Sequence, residues 1–131
     1  MSAENLEAVD RWFEALNEED FDSAIALMHP DVEFVPPGGQ PPYRGAESLR
    51  RWMEPDALQG QSFERLEATA AEDGTVLVKH RVTARGASSG FPLDVISWSV
   101  WSLDETSQIT RAEVFLEHEG DKAREAAGLR N

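Results

Sequence analysis

The sequence predicts a single α+β domain whose helices gather on one face of a curved antiparallel sheet. Two observations carry that prediction. Up to residue 53 apolar side chains recur every three or four positions, and from residue 63 onward they alternate. Short turns rich in Gly, Asp and Ser then join three long alternating segments in succession, the pattern of an antiparallel meander. A chain of 131 residues can close one core without staples.

Over residues 3–16, Leu6, Val9, Trp12, Phe13 and Leu16 form one apolar stripe, with Glu4, Glu7, Asp10, Arg11 and Glu14 between them, as an amphipathic helix requires. Asp20 or Asp22 is placed to cap a shorter second helix carrying Phe21, Ala24, Ile25, Leu27 and Met28. His29-Pro30 ends it, because proline disfavours a helical residue before it. Residues 32–35 read as a short strand and Pro36-Pro37-Gly38-Gly39-Gln40-Pro41-Pro42 as a stiff loop. A third helix over 46–53 presents Leu49, Trp52 and Met53 and stops before Pro55. Strands follow at 63–71, 75–85, 91–103 and 109–116, and residues 120–129 form a short helical tail with Gly128 as its stop.

The charge balance is strongly acidic. Twenty-five carboxylates against 12 basic side chains give a formal net charge of -13, which repels phosphate backbones and argues against nucleic acid as a partner. There is no cysteine, so disulfides and thiolate metal sites are excluded. Neither a signal-peptide pattern nor an apolar run of membrane-spanning length occurs, so the expectation is a soluble, cytoplasmic protein without membrane contact. Three scattered histidines, His29, His80 and His118, lack ligand spacing, and no metal or cofactor is expected.

The strand over 75–85 holds the sharpest feature. Alternation puts Val76, Val78, His80, Val82 and Ala84 on one face and Lys79, Arg81 and Thr83 on the other, so one imidazole stands in a row of valines. On the next strand Val95, Ser97, Ser99 and Trp101 oppose Ile96, Trp98 and Val100; on the last, Arg111, Glu113 and Phe115 oppose Ala112, Val114 and Leu116. If the mixed rows face the helices, the apolar rows lie outside and need another partner.

Several stretches resemble the nuclear transport factor 2-like superfamily, in its SnoaL-like and ketosteroid isomerase-like branch. They are Ala8-Val9-Asp10-Arg11-Trp12-Phe13-Glu14-Ala15-Leu16-Asn17 running into Asp20-Phe21-Asp22, then His29-Pro30-Asp31-Val32-Glu33-Phe34, Tyr43-Arg44-Gly45, Ile109-Thr110-Arg111-Ala112-Glu113-Val114-Phe115 and Arg124-Glu125-Ala126-Ala127-Gly128-Leu129. The resemblance covers nearly the whole chain. It implies a cone-shaped curved antiparallel sheet with three N-terminal helices packed on its concave face, all in one domain over residues 1–131. By alignment with the family the pocket-lining positions are Trp12, Leu16, Phe34, Pro36, Trp52, Met53, Val78, His80, Val82, Ser97, Ser99, Trp101, Glu113 and Phe115, with Tyr43 and Arg111 at the mouth. Ile96, Trp98, Val100, Ala112, Val114 and Leu116 fall to the convex face, where the family commonly forms a homodimer.

The family's best-known chemistry does not carry over. Trp12 stands where the isomerases have their tyrosine, Pro36 where they have their base aspartate and Ser97 where they have their protonated aspartate. The epoxide hydrolase pattern of an arginine two residues before an aspartate is also missing, since Pro92 precedes Asp94, which has outward parity.

His80 and Glu113 remain as candidate catalytic residues. An imidazole titrates near pH ~6.5 when unperturbed and can exchange a proton in cells; a carboxylate desolvated on the concave face becomes a better base. The plain alternatives are a core histidine held by one hydrogen bond and an Arg111–Glu113 ion pair. In the simplest strand register Ser99 lies opposite Glu113 and Ser97 near His80, which would gather the four into one polar patch. The expected function is an apolar small-molecule pocket with cofactor-independent acid-base chemistry of isomerase, cyclase or dehydratase type, acting on a cyclic or polyketide-like substrate. A non-catalytic binding domain and a dimerisation module are the alternatives.

Overall fold

The computed structural model describes residues 2–53, 58–86, 90 and 92–129, with the side chains of 2 and 51–61 left aside. Its elements in chain order are α1 (Ser2–Asn17), α2 (Phe21–Ala26), β1 (Met28–Val35), β2 (Tyr43–Arg44), α3 (Ala46–Met53), β3 (Leu58–Ala70), β4 (Val76–Gly86), β5 (Pro92–Leu103), β6 (Ile109–Leu116), a 3-10 turn (Glu117–Glu119) and α4 (Gly120–Ala126). The expected ending of α3 at Pro55 lies outside the described residues. Asp20, not Asp22, caps α2: its carboxylate accepts from the Ser23 backbone N–H and hydroxyl at 3.2 and 2.6 Å, which also holds its pKa below the usual range.

One six-stranded sheet runs in the order β2-β1-β6-β5-β4-β3. The β3–β4–β5–β6 meander is antiparallel as expected, β1 and β2 are antiparallel too, and a parallel pairing of β1 with β6 completes the sheet. The reason is topological: β1 meets β6 only after the long connection through α3 and the meander, the kind of crossover a parallel pair needs. His29-Pro30 does not end a helix. Both lie inside β1, where the ladder to β6 is irregular between Met28 and Glu33, and that gap accommodates a residue with no N–H to donate.

The concave face packs Val9, Trp12, Phe13 and Leu16 of α1, Ala24 of α2 and Leu49 of α3 against Val32, Phe34, Val76, Val78, Trp101, Ile109 and Ala112 of the sheet. Two asparagines fasten α1 along it. At one end the buried Asn5 donates to the Gly74 carbonyl at 2.8 Å and accepts from the Ser107 hydroxyl at 2.9 Å, joining the β3–β4 and β5–β6 turns. Gly74 sits at φ +91, and a Cβ there would stand 2.7 Å from Asn5 Nδ2, so the turn needs glycine on both counts. At the other end Asn17 takes the backbone N–H of Phe63 at 2.7 Å and donates to its carbonyl at 3.0 Å, satisfying the free edge of β3.

The register of the last hairpin decides which faces meet. Ser99 pairs with Val114 and Val100 with Glu113, one residue away from the simplest register, and the ladder is irregular between Ser102 and Leu103. Asp104 sets this up: its carboxylate accepts from the backbone N–H groups of Thr106 and Gln108 at 2.9 and 3.0 Å, in a turn where Ser107 adopts φ 62. A one-residue slip turns every side chain of a strand to the other face. Ala112, Val114 and Leu116 therefore share the concave side with Trp101, Ser99 and Ser97, while Arg111, Glu113 and Phe115 lie on the convex side.

The convex apolar row is covered by the chain itself. Leu77, Trp98 and Val100 pack with Ala123 and Ala127 of the α4 segment, with Phe115 and Leu129 against them. The Trp98 indole donates to the Glu117 carbonyl at 3.2 Å and lies between Lys79 and Arg124, whose cationic groups stand 5.2 and 5.7 Å from the ring centre. Gly128 closes the tail at φ +78, as expected of a C-terminal stop. The unpartnered surface that suggested a dimer through Trp98 and Val100 is thus occupied by α4. No helix among the described residues is long and apolar enough to cross a membrane.

Candidate functional site

The site is built where α1 crosses the concave faces of β3, β4 and β5. The stripe on α1 delivers Trp12 and Phe13 together; alternation on β4 delivers His80; Ser97, Ser99 and Trp101 come from β5, and Phe63 and Arg65 from β3. Trp12 and Trp101 meet edge to face at 4.8 Å, Phe13 stands 5.2 Å from Trp12 and 5.4 Å from Trp101, and the His80 ring is 5.1 Å from Phe13 and 6.1 Å from Phe63. Such aromatic pairs contribute about 0.5–1.5 kcal/mol each beyond area burial.

Burial grades along this face. Val76, Val78, Ser99 and Trp101 are sealed, whereas Ser97 and Val82 are half-buried and Val95 and Leu116 are each 41% exposed. The tryptophans therefore fill the deep end, and the outer end opens to solvent. His80 stands at the junction, opposite Ser97 and only 5% exposed. Among the described residues its Nδ1 has no hydrogen-bond partner, nor does Trp12 Nε1. Burial pushes the imidazole pKa down from 6.5 to about 4, so the ring is neutral at pH 7. Trp101, by contrast, donates to Ser99 Oγ at 2.7 Å.

The residues singled out from the sequence divide in two. Trp12, Leu16, Phe34, Val78 and Trp101 are in the concave core, Tyr43 packs on it beside Phe34, and Pro36 is buried just after β1. The Trp52 and Met53 side chains lie outside the described residues. Ser97 adjoins His80 as expected. Arg111, Glu113 and Phe115, assigned to the pocket and its mouth by alignment with the family, do not join them: they pair with Ser102, Val100 and Trp98 and project from the opposite face. There Arg111 binds Glu33 at 3.0 Å and Glu113 at 3.1 Å, with Arg44 3.4 Å from Glu33, so the plain ion-pair alternative describes Glu113. In exchange Ala112, Val114 and Leu116, assigned to a dimer surface, belong to the concave side. Ile96 keeps its convex parity, half-buried opposite Arg81, and Asp94 pairs with Arg81 on that face.

Sequence reasoning passed over Phe13 and Phe63 as contacts of His80, and Arg65, which pairs with His80 across β3 and β4 and binds Asp10 of α1 at 2.8 Å. Phe13 was visible in the stripe of α1; nothing marked Phe63. Among the described residues no cluster of three His, Asp or Glu stands close enough to hold a metal ion.

The comparisons agree with the fold. A search of curated proteins finds no sequence match. Among solved structures, a candidate polyketide cyclase from Xanthomonas campestris pv. campestris superposes with a TM-score of 0.81 at 17% identity, over 91% of this chain and 94% of that one. SalBIII, an epoxide hydrolase/cyclase-like enzyme with a role in pyran ring formation in the polyether salinomycin, gives 0.77 at 18% identity, over 86% and 89%. A Mycobacterium tuberculosis protein in complex with estradiol-17beta-hemisuccinate gives 0.77 at 16% identity, over 85% and 92%. The family model for the SnoaL-like domain matches residues 9–112, most of the chain from α1 through β6, and the protein belongs to that family.

Proposed function

We propose that the protein binds an apolar, ring-containing small molecule at the outer concave face, with His80, at the junction with the sealed end, as its polar contact. The observation that supports this most is the buried His80 Nδ1, which has no hydrogen-bond partner among the described residues and stands beside the aromatic rings of Phe13 and Phe63. Small-molecule sites commonly combine apolar walls with a few such polar groups. Similar folds that bind a steroid ester or close pyran rings are consistent with it. Titration with estradiol-17beta-hemisuccinate as probe, followed by tryptophan fluorescence, should saturate, and native mass spectrometry of protein taken from cells should show a retained organic molecule. An empty protein that also ignores the probe would remove the proposal.

Acid-base turnover of isomerase, cyclase or dehydratase type is the second reading, and His80 alone supports it. Its pKa of about 4 and the absence of Glu113 from this face place it below the range best suited to general-base work near pH 7, which ranks binding first. Should a substrate be found, His80→Gln must abolish its turnover while leaving the fold intact; unchanged turnover would end the assignment.

A further inference from the structure

The sheet ends at β3, its longest strand at 13 residues, and among the described residues no strand pairs with its outer side. Ser62, Glu64, Arg65, Leu66, Glu67 and Thr69 are exposed along it. An open edge of this length is a template for another strand. Along an antiparallel ladder the peptide groups of alternate residues turn to opposite sides. Those of Phe63 turn outward, since Asn17 takes both, and those of Arg65, two residues on, share that direction. Beyond Arg65 the ladder with β4 is irregular and leaves Leu66 as an extra residue, 41% exposed, so the bulge divides the edge. The regular stretch left for pairing is the one around Phe63.

Asn17 sits on that stretch. Two residues facing each other in a hydrogen-bonded antiparallel pair exchange both of their N–H···O bonds. The Asn17 carboxamide reproduces the exchange with one side chain: Oδ1 accepts the Phe63 N–H at 2.7 Å and Nδ2 donates to the Phe63 carbonyl at 3.0 Å. The end of α1 holds it there. The Asp20 N–H donates to the Ala15 carbonyl at 2.8 Å and the Glu19 N–H to the Leu16 carbonyl at 3.0 Å, a helix-closing motif in which Glu19 takes φ 57, a conformation that glycine favours.

A second copy laid antiparallel, with Phe63 opposite its own counterpart, would exchange the same two bonds. That register sets Ser62 opposite Glu64 of the copy, so no like charges meet directly, and the two-fold axis closes the pair. We infer that the outer edge of β3 is a latent strand-pairing surface for a second copy of this chain, held closed by Asn17, whose carboxamide takes the place of the copy's peptide group. Pairing requires the last turn of α1 to give way, and the two Asn17 bonds are what tie that turn to the edge.

Hydrogen exchange on the unaltered chain tests the guard without a mutation. Both amides face outward, so the Phe63 N–H should exchange roughly ten-fold more slowly than that of Arg65, the ratio one net hydrogen bond supplies. Sedimentation tests the surface. Asn17→Ala, shown to be folded by circular dichroism, should gain a concentration-dependent dimer that the unaltered chain does not form. Adding Ser62→Glu sets carboxylates opposite each other and should abolish that dimer, whereas adding Ser62→Lys, which faces Glu64, should tighten it. Asn5→Ala loosens the other end of α1 and serves as control, expected to sediment as the unaltered chain does. Equal exchange at Phe63 and Arg65 would overturn the guard. An Asn17→Ala chain that sediments unchanged at every concentration would overturn the surface, as would a dimer indifferent to Ser62→Glu or shared by Asn5→Ala.

Discussion

Val100 of β5, and not Ser99, lies opposite Glu113 of β6. That single step of register separates Glu113 from His80 by the thickness of the sheet and puts the carboxylate beside Arg111 instead. Glu113→Gln should therefore leave ligand affinity unchanged and lower stability by only about 0.2–1 kcal/mol, the range for a partly exposed ion pair. Urea denaturation beside a binding titration checks both; a large loss of affinity would return Glu113 to the site.

His80 should make stability depend on pH. The folded imidazole, held near a pKa of about 4 by burial, binds fewer protons than the unfolded one at 6.5. The contribution is therefore fully present above pH 6.5 and is lost as pH falls from there toward 4, by about 1.4 kcal/mol per unit and about 3 kcal/mol in all. The exposed carboxylates Asp94 and Asp104, with pKa values lowered by Arg81 and by the Thr106 hydroxyl, add acid lability chiefly below that window. Denaturation curves between pH 4 and 7 should flatten in His80→Leu; equal slopes would show that the imidazole titrates normally.

Asn5 joins two turns that are 69 and 102 residues away from it. Asn5→Ala should cost about 1–3 kcal/mol, because the Gly74 carbonyl and the Ser107 hydroxyl lose their partner. Asn5→Leu should be no better, although leucine suits the apolar stripe. Chemical denaturation decides; a neutral Asn5→Ala would mean that solvent satisfies both turns.

Trp98 is held by α4 and the preceding turn, so its truncation should act within one chain. Trp98→Ala should destabilise by about 3–5 kcal/mol, and Gly120→Ala, whose new methyl would meet the indole at 3.0 Å, by a smaller amount. Thermal melts at several protein concentrations check this. A destabilisation that vanishes on dilution of the wild type would instead place Trp98 between two copies.

The helices, the meander and the valine row around His80 could be read from the sequence because each depends on local periodicity: the stripe of α1 and the alternation of β4 are written in neighbouring residues. The pairing of Ser97 with His80 followed from a simple hairpin. What failed was β6. Its alternation was right but its phase depended on the turn at Asp104 and the irregularity beyond Ser102, and a period of two gives no warning of a slip by one. The partner of Trp98 was missed for a related reason: Ala123, Ala127 and Leu129 make a weak apolar face that becomes meaningful only once the chain folds back. Asn5 and Asn17 bind backbone and turn groups far away in sequence, which composition cannot foretell.

The parallel pairing of β1 with β6 also bears on how the chain is made. Glu33 and Arg111 stand 78 residues apart, so a nascent chain emerging N-terminus first presents Val32 and Phe34 long before Ala112 exists to cover them. High contact order of this kind slows folding, because β1 has β6 as its long-range neighbour in the sheet. Until β6 leaves the ribosome, α1, α2 and β1 have no finished sheet to settle on, and the interval in which they need shielding from other chains is set by the rate of translation.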